Sequence, residues 1–241
     1  MGLLKPAWKS NNEKRAIKEV GGETSQAILA EIAKNAPLKT VRESAIRKIT
    51  DQSLLADVAI NYGYEESCKA AINKMSDQKQ IARVALEAQS PNINIIVAAI
   101  DKLNDQKLLE RVALEVEYMV REHAVDKLTN QVVLTNIAKT DKHPKIRKCA
   151  IKKLIDQKVL SEIIASDEDP NVCSTALDML TEQNALINIA KNRPSSSKNG
   201  RNKMLRVSAI KKIADQKTLI DIANDTNEDD SSNEFIIIYA A

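Results

Sequence analysis

Eight of the chain's ten glutamines stand at 26, 52, 78, 106, 131, 157, 183 and 216, so one column returns about every 26 residues. Only Gln80 and Gln89 lie outside it. A fixed period of this length marks a repeat architecture, in which each unit hides its apolar face only against its neighbours. The phrases that carry the period are "AIRKITDQ" at 45–52, "AINKMSDQ" at 71–78 and "AIDKLNDQ" at 99–106. They return as "AVDKLTNQ" at 124–131, "AIKKLIDQ" at 150–157, "ALDMLTEQ" at 176–183 and "AIKKIADQ" at 209–216.

Around each Gln the apolar positions are fixed. Eleven residues before it stand Val41, Ile95, Val120, Ile146, Val172 and Leu205, with Ser67 the exception. For each of the seven glutamines from 52 to 216, seven before it is Ala, six before it Ile, Val or Leu, and three before it Ile, Met or Leu. These offsets form one helical stripe. After the Gln, Leu or Ile recurs at the third position, Val or Ile at the sixth, and Ala at the seventh except for Ile164. That is a second stripe, read as a shorter helix of about two turns after one of about three. Just before the Gln stands Asp51, Asp77, Asp105, Asn130, Asp156, Glu182 or Asp215. An acid or amide there caps the second helix by accepting its unpaired N–H groups and suits the positive end of its dipole.

Composition agrees with a helical solenoid. Aromatic residues are 2% of the chain, and five Gly and six Pro leave few turns for a β-rich fold. The core must therefore be filled by Ile, Leu, Val and Ala, and the alanine columns allow neighbouring helices to approach closely. The expected fold class is all-α, a solenoid of about eight two-helix repeats forming one domain over residues 1–241.

A Val-Arg pair opens several first helices: Val41-Arg42, Val120-Arg121, Ile146-Arg147 and Leu205-Arg206. With the following Ala-Ile and Leu positions, and with "DPNV" at 169–172 and "KHPKIR" at 142–147, the unit resembles a HEAT repeat of the short bacterial type. The likeness covers nearly the whole chain. It implies a right-handed α-α superhelix with first helices on the convex side and second helices on the concave side. It specifies fold far better than function.

Departures from the repeat mark ends and insertions. "VGGE" at 20–23 reads as a loop inserted before the second helix of a disturbed first unit, with a cap over residues 1–22 and Trp8 covering its open end. Gln183 and Gln216 are 33 residues apart, and "NRPSSSKNGRNK" at 192–203 reads as a surface loop. The stretch 225–241 turns acidic and then apolar in "FIIIYAA", read as a C-terminal cap. Residues 1–10 hold no apolar run, so no signal peptide is expected, and three cysteines without a CxxC pair fit a reducing, cytoplasmic setting.

Three polar columns are candidates for function. The glutamines Gln52, Gln78, Gln106, Gln131, Gln157, Gln183 and Gln216 are read as a structural ladder whose amides clamp the links between helices. Four residues before them, Lys48, Lys74, Lys102, Lys127, Lys153 and Lys212 form a basic line. It is read as a solvated face whose stems cover apolar surface. Five residues after them, Asp57, Arg83, Arg111, Asn136, Glu162, Asn188 and Asp221 form a column of changing sign on the presumed concave face. Mixed polar character of this kind suits a protein or peptide partner better than a polyanion.

The chain's net charge is only +3, so nucleic-acid binding would need a local patch. Lys145, Arg147, Lys148, Lys152, Lys198, Arg201 and Lys203 are the candidates, without interleaved aromatics. His123 and His143 are the only histidines, and no GxSxG, P-loop or GxGxxG occurs, so no catalytic, metal or cofactor site is expected. The expected function is a non-catalytic scaffold binding a protein or peptide on the second-helix surface. Nucleic-acid binding through the late basic patch is the alternative. A lesser one, implied by the family likeness, is an enzyme or chaperone resembling the HEAT-like lyases that attach bilin pigments.

Overall fold

The computed structural model describes residues 6–61, 63–88, 93–191 and 200–224, with side chains from 203 in the last segment. The inserted loop, apart from its end, and the acidic-apolar stretch at 225–241 lie outside the described residues. Every regular element described is helical. The chain divides into two compact units, Met1–Leu128 and Thr129–Ala241.

Unit one holds α1 (Glu13–Gly22), α2 (Gln26–Asn35), α3 (Lys39–Lys48), α4 (Gln52–Ile60), α5 (Glu65–Lys74), α6 (Gln78–Glu87), α7 (Ile93–Lys102), α8 (Gln106–Glu115) and α9 (Tyr118–Lys127). Each even-numbered helix packs closely on the odd-numbered helix that follows it, and like helices stack on like: α1, α3, α5, α7, α9 in one layer and α2, α4, α6, α8 in the other. Unit two holds α10 (Gln131–Thr140), α11 (Pro144–Ile151), α12 (Gln157–Ser166), α13 (Pro170–Met179), α14 (Gln183–Lys191), α15 (Gly200–Ile210) and α16 (Gln216–Asn224). There α10 packs on α11, α12 on α13 and α14 on α15, while α11, α13 and α15 stack as a layer. Each unit is thus an α-α solenoid of the repeats read from the sequence.

The stripes explain the packing. The alanines seven before the Gln, from Ala45 to Ala209, are all fully buried, and so are Leu55, Ile81, Leu109, Leu134, Leu160 and Leu186 three after it. Helices of about ten residues are too short to be stable alone in water. Their stability comes from the layer on either side.

The cap positions read from the sequence act as caps. Asp51 accepts from Ser53 N–H at 2.8 Å and Leu54 N–H at 3.1 Å. Asp77, Asp105 and Asp156 make the same pair of bonds to the second and third residues after them, and Asn130 accepts from Val132 N–H.

Two expectations are corrected. The second helices run nine or ten residues, as long as most first helices, because they continue past the buried stripe by a residue or two, as at Leu86-Glu87 and Leu114-Glu115. And "VGGE" is not an inserted loop: Val20, Gly21 and Gly22 complete α1, leaving only Glu23, Thr24 and Ser25 as the link. The Lys48 ammonium donates to the carbonyls of Val20 (3.0 Å) and Gly21 (2.7 Å), which holds that last turn together. The first unit is therefore a regular helix pair. Trp8 sits in a 3-10 turn, Ala7–Lys9, packed on α1 and only 5% exposed, with its N–H donating to Glu19 at 2.9 Å.

Removing a cap should cost little and act locally. Asp105→Ala is expected to destabilise by about 1 kcal/mol, and Asp105→Asn by much less, because the amide oxygen still accepts. Urea unfolding of both variants against the parent chain checks this.

Candidate functional site

The polar columns are first of all a fastening system between repeats. Gln26 Oε1 accepts from Thr50 N–H at 2.7 Å and Asp51 N–H at 3.3 Å in the next link. Gln52 does the same for Ser76 (2.8 Å) and Asp77 (3.1 Å), and Gln78 for Asn104 (2.6 Å) and Asp105 (3.2 Å). Gln106 donates to the Lys127 carbonyl at 3.1 Å. In unit two Gln131 bonds Lys153 O and Ile155 N–H, Gln157 accepts from Thr181 and Glu182 N–H, and Gln183 accepts from Ala214 N–H. These bonds run from one repeat to the end of the first helix or the link of the next, while Gln52, Gln157 and Gln183 also donate to the carbonyls of Thr50, Ile155 and Thr181 in their own links. Gln216 lies in the last described helix and is exposed.

The lysine line works in the opposite direction. Lys74 donates to the carbonyls of Ile46 and Arg47, Lys102 to Asn73, and Lys127 to Ile100 and Asp101. In unit two Lys212 donates to Leu177 and Asp178, both at 2.7 Å. Each ammonium sits on the last turn of the preceding first helix, where unpaired carbonyls and the negative end of the dipole attract a cation. Burial holds the Lys74 and Lys212 ammoniums below the usual lysine range. This corrects the reading of a solvated face: these lysine heads are bound, not displayed.

A third column, ten residues before the Gln, was visible in the sequence only as part of the Val-Arg pair. It holds Arg42, Cys68, Ile96, Arg121, Arg147, Cys173 and Arg206. The Arg42 side chain is 2% exposed and donates to the carbonyls of Ala36 (2.8 Å) and Pro37 (2.9 Å), to Ser67 Oγ (3.0 Å) and to Glu66 (2.6 Å). The ring of Tyr64 lies 3.4 Å from its guanidinium carbon. Arg121 donates to Val116 O, Arg147 to Asp141 O and Arg206 to Ala190 O. The thiols substitute for guanidinium: Cys68 reaches Asn61 O at 2.8 Å and Cys173 reaches Asp167 O at 3.3 Å. The column thus supplies a donor to the carbonyl end of the preceding second helix. Its signal in the sequence was its position beside the buried column eleven before the Gln.

The column on the second helices stays at the surface and pairs with its own members or with neighbouring charges on the second helices. In unit one Arg83 binds Asp57 at 2.9 Å and Glu87 at 3.0 Å, and Arg111 binds Glu115 at 2.9 Å. In unit two Lys139 binds Glu162 at 2.7 Å, which holds that carboxyl below the usual range, while Asn136, Asn188 and Asp221 are exposed.

The basic patch is less coherent than its sequence. Arg147 grips Asp167 through two bonds of 2.7 and 2.8 Å, with both side chains largely shielded, so it is a structural ion pair. Lys145, Lys152 and Lys203 are exposed and Lys148 half-buried; Lys198 and the Arg201 side chain lie outside the described residues. Among the described residues no group of His, Cys, Asp and Glu is placed to hold a metal ion, and no helix is long and apolar enough to cross a membrane. Cys68, Cys149 and Cys173 are buried thiols outside any disulfide. No family model, curated protein or solved structure matches the chain.

Two outcomes are expected. Arg42→Ala should destabilise by about 3 kcal/mol, and Arg42→Lys by a large part of that, since buried acceptors lose a planar donor set; thermal and urea unfolding measure both. Burial also pushes the Cys68 thiol up to about 11, whereas an unfolded cysteine ionises near ~8.5. The unfolded chain loses that proton first, so this contribution to stability is intact at neutral pH and is lost as pH rises between those values. Iodoacetamide at alkaline pH should label Cys68 slowly in the native chain and rapidly in urea.

Proposed function

We propose that the chain is a non-catalytic interaction scaffold that binds a protein or peptide partner on its second-helix surface. The observation that carries this reading is how the polar groups divide. The glutamine, lysine and arginine columns are engaged in joining repeat to repeat, whereas the column of Asp57, Arg83, Arg111, Asn136, Glu162, Asn188 and Asp221 joins few repeats and faces water. A surface of both signs, rich in hydrogen-bonding groups and with little single-sign field, matches the polar make-up of protein interfaces. The likeness to HEAT repeats supports the same reading and puts this face on the concave side. Three buried thiols outside any disulfide suit a reducing, cytoplasmic setting. The engagement of Arg147 with Asp167 and of the lysine line with helix ends leaves less cationic surface for a nucleic acid to neutralise.

A photo-crosslinker placed at 83 or 111 in the full chain is expected to capture a protein partner saturably. Reversing both charges (Arg83→Glu with Arg111→Glu) should weaken that capture at least ten-fold. It should move the melting temperature only by a few degrees, because exposed pairs are worth about 0.2–1 kcal/mol each. Capture of RNA or DNA instead, with steep salt dependence and loss on reversing Lys148 and Lys152, would replace this reading with the nucleic-acid one.

A further inference from the structure

Among the described residues, one second helix meets a hydrocarbon at the position where five others receive a donor. The C-cap carbonyls of α2, α4, α8, α10 and α12 (Ala36, Asn61, Val116, Asp141 and Asp167) are met by Arg42, Cys68, Arg121, Arg147 and Cys173 respectively. For α6 the C-cap is Ala88, and the matching residue on α7 is Ile96, a hydrocarbon that brings no donor. A cleft of about 360 Å³ stands there, lined by Ala85, Leu86, Ala88, Ile96, Glu115, Val116 and Glu117. That volume is near the small end of ligand pockets.

The lining has the chemistry that the resident arginines use. Arg42 and Arg147 each combine a C-cap carbonyl with a carboxylate from further along the chain, Glu66 in the first turn of α5 and Asp167 at the end of α12. Here the next repeat supplies Glu115 from the end of α8 and Glu117 from the link after it, with the alkyl walls of Ala85, Leu86 and Ile96 beside them. Glu115 holds Arg111 through an exposed bond of 2.9 Å, which an incoming cation could share. The neighbouring surface is unusually apolar: Leu114 is 54% exposed, Tyr118 48% and Met119 53%, three of the nine large apolar side chains so exposed among the described residues. All three fall within six residues of one another around that link.

We infer that this cleft between α6, α7 and the α8–α9 link receives an arginine side chain from a protein partner, supplying from outside the guanidinium that Ile96 withholds. The alkyl stem packs on Ile96 and Leu86, the fork meets the Ala88 carbonyl end and the Glu115 and Glu117 carboxylates, and apolar residues flanking the arginine cover Leu114 and Met119. An arginine fits better than a lysine because its planar donor set serves a carbonyl and a carboxylate together. The inference rests on the scaffold reading for its partner class and adds a cleft that adjoins the second-helix column through the Arg111–Glu115 pair.

The probe is a short peptide with one arginine flanked by leucines, with the same peptide carrying glutamine as control, titrated into full chain labelled at isoleucine methyls. The arginine peptide is expected to shift the Ile96 methyl resonance and to bind at least ten-fold more tightly than the control. Glu115→Gln with Glu117→Gln should lose that preference without changing the melting temperature by more than a few degrees. Ile96→Arg should fill the cleft from within, abolish peptide binding and raise the melting temperature. No Ile96 shift at millimolar peptide, equal binding of the two peptides, or a preference kept by the two glutamine substitutions would overturn the inference. Those outcomes combined with capture at 83 or 111 would remove the cleft and leave the scaffold standing. A specific cleft without any capture there would leave the cleft and remove the second-helix surface.

Discussion

A helix of ten residues has unpaired N–H groups over its first turn and unpaired carbonyls over its last, so most of its length is helix end. A protein made of such helices must answer that problem at every repeat, and this one does so with a fixed set of side chains. Aspartate before the glutamine accepts from the start of the second helix. Lysine reaches back to the end of the preceding first helix, and arginine or cysteine to the end of the preceding second helix. Glutamine reaches forward to the link beyond. The aspartate caps are local, but the lysine, arginine, cysteine and glutamine bonds cross from one repeat to the next, so these groups that complete the helices also join the stack.

That economy shapes what is left for binding. The cationic heads of the lysine line lie against carbonyls, and Arg147 lies against Asp167, so the positive charge that looks continuous in the sequence is divided among helix ends. The second-helix column keeps its charges on the surface, but in pairs of opposite sign. One position breaks the scheme: Ile96 keeps the apolar body of the column and drops the donor, and a cleft with two carboxylates opens at that place. In a quasi-one-dimensional array a change in one unit is felt mainly by its neighbours. A site can therefore be made by omission without loss of the stack.

Much of this was legible in the residues. The period of the glutamines set the number and phase of the repeats, and the alanine and leucine columns named the core residue by residue. The aspartates announced their caps, because a cap is a local bond between a side chain and backbone two or three residues away. The lysine and arginine columns were visible as columns, yet their roles were not: the lysines' partners lie 27 or 28 residues back at Ile46 and Ile100 in the preceding repeat, and the arginines' are main-chain carbonyls, which no residue type announces. Helix length was misjudged for a related reason. The apolar stripe of a second helix ends before the helix does, and Val20-Gly21-Gly22 stays helical because Lys48 from the following repeat holds its carbonyls.

The sequence by itself determined an all-α repeat protein, its register and its buried faces, because periodic burial and local capping depend only on spacing along the chain. The tertiary structure alone decided which charges are bound and which are displayed, and that the hydrocarbon at 96 leaves a cleft. Those outcomes depend on how closely one repeat approaches the next, and on which carbonyl ends and carboxylates that approach brings within hydrogen-bond reach. The glutamine column belongs to both: its period is written in the chain, and its bonds exist only across the seam.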